Sequence, residues 1–194
     1  MKIAIIKYNA GNVQSVQFAL QRLGVDAMIT DQSEQIQQAD RVIFPGVGEA
    51  SSTMQYLKSK KIDEVIINLK QPVLGICLGM QLMCQYSEEN NTKCLGIFGE
   101  DVKKFTSSGN LKVPHMGWNQ LQRPQDWLPD TLNGEYFYFV HSYYVPVNQD
   151  TTAIAEYGTP FSAAMRKNNF YAVQFHPEKS ADAGEAILKQ FLNV

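Results

Sequence analysis

The sequence predicts an α/β protein, a doubly wound and mostly parallel sheet with an antiparallel extension. Three observations carry this. The first half alternates short apolar runs with stretches of helical period. After about residue 92, aromatic and β-branched runs take over, separated by turn residues. The chain then closes on an amphipathic helix.

Lys2–Ile6 reads as the first strand. Gly11–Leu23 follows as a helix, with Val13, Val16, Phe18, Leu20 and Leu23 as apolar positions and Gly24 as its stop. Asp26–Thr30 is the next strand, Ser33–Gln38 a short helix and Arg41–Phe44 a third strand. Glu49–Leu57 and Ile62–Leu69 read as helices, Pro72–Ile76 as a buried strand and Leu78–Tyr86 as a helix. Such alternation favours a parallel sheet covered on both faces. In the second half, turn residues at Gly109-Asn110, Pro124, Asn133-Gly134, Asn148 and Gly158 divide the chain. Strands are expected at Tyr136–Val140, Thr152–Glu156, Ser162–Arg166 and Asn169–Gln174. Ala181–Leu192 is the last helix, capped by Ser180, with Ala183, Ile187, Leu188 and Phe191 as its apolar stripe.

With 194 residues and no linker or repeat, the chain reads as one domain over 1–194. A hydrophobic content of 44% supplies a full core, and 19% charged residues argue against disorder. The net charge of −2 and the lack of a basic stripe argue against nucleic acid. The apolar run Ile3–Ile6 is too short for a signal peptide or a membrane span. A cytoplasmic protein is expected. Cys77, Cys84 and Cys94 cannot all pair, and their gaps match no zinc site. A reducing compartment fits, and no metal is expected.

The chemistry concentrates at three places. Gly75-Ile76-Cys77-Leu78-Gly79 puts a thiol on a sharp strand-to-helix turn. There the helix N-terminus favours thiolate, and the Leu78 N–H is placed to hold an oxyanion. A buried small hydrophobe is the ordinary fate of cysteine, and Cys84 and Cys94 are read that way. Phe44-Pro45-Gly46-Val47-Gly48 follows a strand at the sheet's carboxyl edge, where open α/β folds bind ligands. Its Val47 or Gly48 N–H is a second oxyanion donor, although a plain turn would use the same residues. His176-Pro177-Glu178 offers a base with an acid two residues on. Cys77, His176 and Glu178 are thus the parts of a nucleophilic triad. Of the other histidines, His115 reads as structural, whereas His141 also ends an apolar strand.

Together these three motifs resemble the class I glutamine amidotransferases, over the whole chain and in the family's order. The resemblance implies a flavodoxin-like fold, L-glutamine as substrate and no cofactor. Pro114-His115-Met116-Gly117-Trp118-Asn119, Tyr138-Phe139-Val140-His141-Ser142-Tyr143 and Ala10-Gly11-Asn12 resemble the glutaminase subunits of imidazole glycerol phosphate synthases. That family's loop pattern of acid, Tyr, Gly, any residue, Gly, Asn departs here to Lys7-Tyr8-Asn9-Ala10-Gly11-Asn12.

By this resemblance Cys77 attacks the glutamine side-chain amide, His176 moves the proton and Glu178 holds His176. Gly48, Gln81, Glu89, His141, Ser142 and Tyr143 grip the substrate. Gln81 also lies one helical turn after Cys77, so it faces the same site. The ammonia passes to a (β/α)8-barrel cyclase subunit in a heterodimer that serves histidine biosynthesis. Asn12, Pro114, His115, Met116, Gly117, Trp118, Asn119, Tyr138 and Lys179 are expected to face that partner. Trp118 reads equally well as a core aromatic. Three alternatives stay open: a paralogous subunit feeding another synthase, a hydrolase of γ-glutamyl peptides, and a non-enzymatic cysteine sensor or chaperone of similar fold.

Overall fold

A computed structural model describes residues 1–8, 12–106 and 111–194. The predicted helix start at Gly11, the Ala10-Gly11 part of the N-terminal motif, Asn9 and the Gly109-Asn110 turn lie outside the described residues.

In chain order the elements are β1 (Ile3–Ile6), α1 (Val13–Arg22), β2 (Ala27–Thr30), α2 (Ser33–Gln37), β3 (Arg41–Phe44), α3 (Ala50–Ser59) and α4 (Ile62–Asn68). Then come β4 (Val73–Ile76), α5 (Leu78–Met83), β5 (Tyr86–Ser87), β6 (Thr92–Lys93), β7 (Asp101–Lys104) and β8 (His115–Gln120). The chain continues with β9 (Tyr136–His141), β10 (Tyr143–Tyr144), β11 (Thr151–Glu156), β12 (Pro160–Lys167), β13 (Phe170–Val173) and α6 (Ala181–Asn193).

Seven strands form the main sheet in the order β11-β12-β13-β4-β3-β1-β2. The run from β2 to β13 is parallel, and β12 and β11 add to it antiparallel. This is the mostly parallel sheet with an antiparallel extension that the sequence predicts. Alternation along the strands builds two cores. Ile3, Ile5, Ile43, Leu74 and Ile76 face α1 and α6, while Ala4, Ile6, Val42, Phe44 and Val73 face α2 to α5. Among the described residues, no helix is long and apolar enough to cross a membrane.

Three expectations are corrected. The segment Pro114–Asn119, which lies outside the predicted strands, mostly forms β8, paired with β9 from His115↔His141 to Gln120↔Tyr136. Its alternation puts His115 inside and Met116 and Trp118 outside, a period of two that a glycine in the middle hid. Helix α5 stops at Met83 rather than Tyr86, because Cys84 turns extended at ψ 176°. Ser180 does not cap α6 with its side chain. Its hydroxyl donates to the His176 carbonyl and accepts from the Tyr138 N–H, so it ties the His176 segment to β9.

Candidate active site

Cys77 sits where β4 passes into α5, at the carboxyl edge of the sheet. Its N–H still donates to the Val173 carbonyl, at 2.8 Å, so the strand ladder continues to the nucleophile position. Its backbone then takes φ 53° and ψ −108°, a conformation that L-residues avoid. Gly79 makes the turn possible: a Cβ there would lie on the Phe44 carbonyl oxygen. The helix can therefore press its first turn against the end of β3.

The loop after β3 lies alongside. Tyr8, buried, donates its hydroxyl to the Pro45 carbonyl at 2.5 Å and pins the loop's start. Burial, and then the charge on Cys77, push the Tyr8 phenol upward, so it stays a donor. Gly48 takes φ +118°, which favours glycine. The Leu78 N–H rests on the Gly46 carbonyl at 3.4 Å, a long bond that leaves the donor only weakly engaged.

His176 is completely buried, and its backbone N–H donates to the Tyr138 carbonyl of β9. Its Nδ1 lies 2.8 Å from Oε1 of Glu178, whose side chain is also fully buried. Burial works against an imidazolium here. The charge of the nearby Cys77, then the bond and charge of Glu178, outweigh it and raise the imidazole to about 10. Nε2 of His176 has no hydrogen-bond partner among the described residues. With Nδ1 committed to Glu178, Nε2 is the nitrogen left for proton transfer.

A cavity of about 300 Å³ opens over the sulfur. It is lined by Val47, Gly48, Cys77, Leu78, Gln81, Glu89, Pro114, Val140, His141, Ser142 and Tyr143. Every oxyanion and substrate residue expected from the sequence is in that lining, and His176 is near enough to Cys77 to feel its charge. Glu89 accepts the Ala50 N–H at the start of α3, and burial raises its carboxyl. Its neighbour Glu88 points away, to Lys103 and the Lys104 N–H. A larger depression of about 530 Å³ lies at the opposite, N-terminal end of the strands, between Lys2, Asp26, Met28 and Gln35, without thiol or imidazole.

The residues expected at a partner surface divide. Met116, Trp118 and Lys179 are exposed, with Trp118 54% accessible, and Gly117, Asn119 and Tyr138 are partly so. The Lys179 ammonium lies over the Tyr138 ring, and Trp118 packs edge-on against it. Pro114 is exposed but also borders the cavity. Two residues do not fit that expectation. Asn12 is 3% exposed and donates to Oε1 of Glu178 at 3.2 Å, because the start of α1 points at the His176–Glu178 turn. His115 is equally buried, stacked on Phe139 and Tyr157.

His115 instead forms a buried pair with His141. Nδ1 of His141 faces the Tyr143 carbonyl at 2.7 Å and must donate. Its Nε2 is then an acceptor, so Nδ1 of His115, 2.9 Å away, donates to it. Nε2 of His115 accepts in turn from Asn119. Burial keeps both rings neutral, with His115 lowered to about 4 and His141 to about 3. Both nitrogens of His141 are thus engaged, which leaves Nε2 of His176, among the described residues, as the free imidazole nitrogen beside Cys77.

Sequence reasoning missed Asn12 as a partner of Glu178, and it missed Gln174. Gln174 is fully buried, with its amide between Gln81 and the Cys77 sulfur. A polar side chain closing the apolar run Phe170–Val173 was the available signal.

The family model of class-I glutamine amidotransferases matches residues 4–194. An imidazole glycerol phosphate synthase subunit HisH from Bacteroides fragilis is 58% identical over 196 residues, covering 100% of both chains. One from Idiomarina loihiensis is 48% identical, covering 100% of this chain and 98% of its own. Among solved structures, a glutamine amidotransferase superposes with a TM-score of 0.76 at 17% identity, over 98% of this chain and 97% of its own. Another, from Thermotoga maritima, does so with a TM-score of 0.62 at 15% identity, over 100% and 83%. At those identities the structures speak for the fold alone. The full-length matches carry the family: the chain belongs to the class I glutamine amidotransferases, in the branch of the HisH subunits of imidazole glycerol phosphate synthase.

Proposed function

We propose that the chain, as one cytoplasmic glutaminase domain over 1–194, hydrolyses L-glutamine at Cys77. It passes the ammonia to the cyclase subunit of imidazole glycerol phosphate synthase, for histidine biosynthesis. The single observation that supports the site is the order Cys77, His176, Glu178 behind a cavity large enough for one amino acid.

The sulfur attacks the side-chain amide carbon, and the carbonyl oxygen gains the charge. Val47, Gly48 and Leu78, whose N–H groups would hold that charge, line the same cavity. His176, held through Nδ1 by Glu178, takes the sulfur's proton on Nε2. His176 gives that proton to the departing ammonia, leaving a thioester, and then takes one from the attacking water. Glu178 fixes the tautomer and stabilises the imidazolium, and Asn12 fixes Glu178. Glu89, Gln81, His141, Ser142 and Tyr143 enclose the amino-acid end of the substrate.

The cyclase would seat on the exposed face of the β8–β9 ribbon, on Met116, Trp118, Tyr138 and Lys179. The Leu78 N–H rests on Gly46. Docking that shifts the Pro45–Gly48 loop would free this donor, so we expect the lone chain to be nearly silent. The test of the site is Cys77→Ser in the complex with the cyclase. Loss of glutamine turnover with an unchanged melting curve is expected; turnover retained in a folded variant would overturn the assignment of Cys77.

A further inference from the structure

We propose that Gln174, clamped by Gln81, is a positioning residue for Cys77: it holds an N–H donor on the sulfur and thereby orients it and favours its anionic form. The inference rests on the reading of Cys77 as the nucleophile.

The hydrogen bonds themselves dictate which way both amides point. The Tyr143 carbonyl can only accept. Gln81, 2.9 Å away, therefore presents Nε2 to it. The second hydrogen of that same nitrogen points at Gln174, also at 2.9 Å, so Gln174 must offer its oxygen there. Its own Nε2 is then left facing the Cys77 sulfur, at 3.6 Å. A flip of either amide would put two donors or two acceptors face to face in a site closed to water, at a cost of about 1–3 kcal/mol. Gln174 is 0% exposed and Gln81 4%, so water cannot relieve such a clash. The clamp thus converts a freely flipping amide into a fixed donor.

A donor on sulfur matters more to a thiolate than to a thiol, since a bond to a charged acceptor is about twice as strong. The titratable groups around the sulfur are His176, with Glu178 behind it, Tyr8, and, across the cavity, His141, Glu89 and Tyr143. Gln174 differs from all of these in carrying no charge and not titrating. It would support the sulfur equally before and after His176 gives up its proton. The Val140 carbonyl, 3.8 Å from the sulfur, offers only an acceptor and favours the thiol. Gln174 is the counterweight to it.

The experiment is the pH dependence of Cys77 alkylation by iodoacetamide in the full chain, read on the Cys77 peptide by mass spectrometry. It is run beside glutamine turnover in the complex with the cyclase. Gln174→Glu keeps an oxygen for Gln81 and replaces the donor by a second oxygen. Its alkylation midpoint should rise by about one pH unit or more, and kcat should fall about tenfold or more. Gln81→Met leaves Gln174 in place but unclamped and should shift both in the same direction by less. Native midpoints in folded Gln174→Glu and Gln81→Met would overturn the proposal. Should Gln174→Glu fail to fold, Gln81→Met decides alone. Cys77→Ser separates the two levels. If it retains turnover, the reading of Cys77 fails; if it abolishes turnover while the midpoints stay put, only the role of Gln174 fails.

Discussion

Replacing Glu178 by glutamine removes one charge and almost no volume, from a side chain with 0% exposure. Oε1 faces Nδ1 of His176 at 2.8 Å and Nδ2 of Asn12 at 3.2 Å, whereas Oε2 has no partner among the described residues. The new amide keeps its oxygen toward Nδ1 and Asn12, because both offer N–H groups. Its NH2 then occupies the place of Oε2 as a buried donor without an acceptor. Two costs follow. The charge-assisted bond to the imidazolium is lost, worth about 1.5–3 kcal/mol. At about 1.4 kcal/mol per pH unit this lowers His176 by about one to two units from its value of about 10. The raised pKa makes His176 a source of stability that is full below its unfolded pKa of about 6.5 and is lost as pH climbs toward 10. In Glu178→Gln that loss comes at lower pH. The assay is imidazole nitrogen NMR across about pH 6 to 11, with denaturant melts at the same points. Turnover should fall by about 10- to 100-fold, less than in His176→Ala, because the base itself remains. An unmoved His176 titration, or a greater loss of turnover than His176→Ala shows, would refute the reasoning.

Three further expectations follow from the same geometry. Cys77→Gly should be more stable than Cys77→Ala by about 1 kcal/mol in urea melts, since both lack sulfur and only glycine relaxes φ 53°; equal midpoints would deny the strain. Gly79→Ala should cost about 1–3 kcal/mol or more, because its methyl group meets the Phe44 carbonyl on a rigid strand end; a native melting curve would contradict this. Burial depresses His115 and His141 to about 4 and about 3, so the unfolded chain binds their protons first. Stability should therefore decline as pH falls from about 6.5 toward 4, and His115→Gln should flatten that slope in urea melts.

The sheet and its helices were legible because the strands are short, buried on both faces and bounded by turns. Arg41–Phe44 is where the sequence places it, and β1, β4 and β13 fall within a residue or two. Cys77 and the glycine-rich loop were legible because each is a local turn whose shape glycine dictates. β8 was not. His115-Met116-Gly117-Trp118-Asn119 mixes polar and apolar residues on both faces, since one face packs on Phe139 and the other is open. Asn12 and Gln174 were not legible for a different reason. Their partners lie 166 and 97 residues away, and only the closed sheet brings α1 to Glu178 and the end of β13 to Cys77. Polar contacts at that separation leave no periodic trace.

The most direct test of the central claim is glutamine hydrolysis in three mixtures: this chain alone, with the matching cyclase, and with cyclase plus its ribulosyl substrate. The account expects a trace in the first, more in the second and strong turnover only in the third. Full turnover by the lone chain, or no stimulation by the cyclase while Cys77 remains reactive, would contradict it.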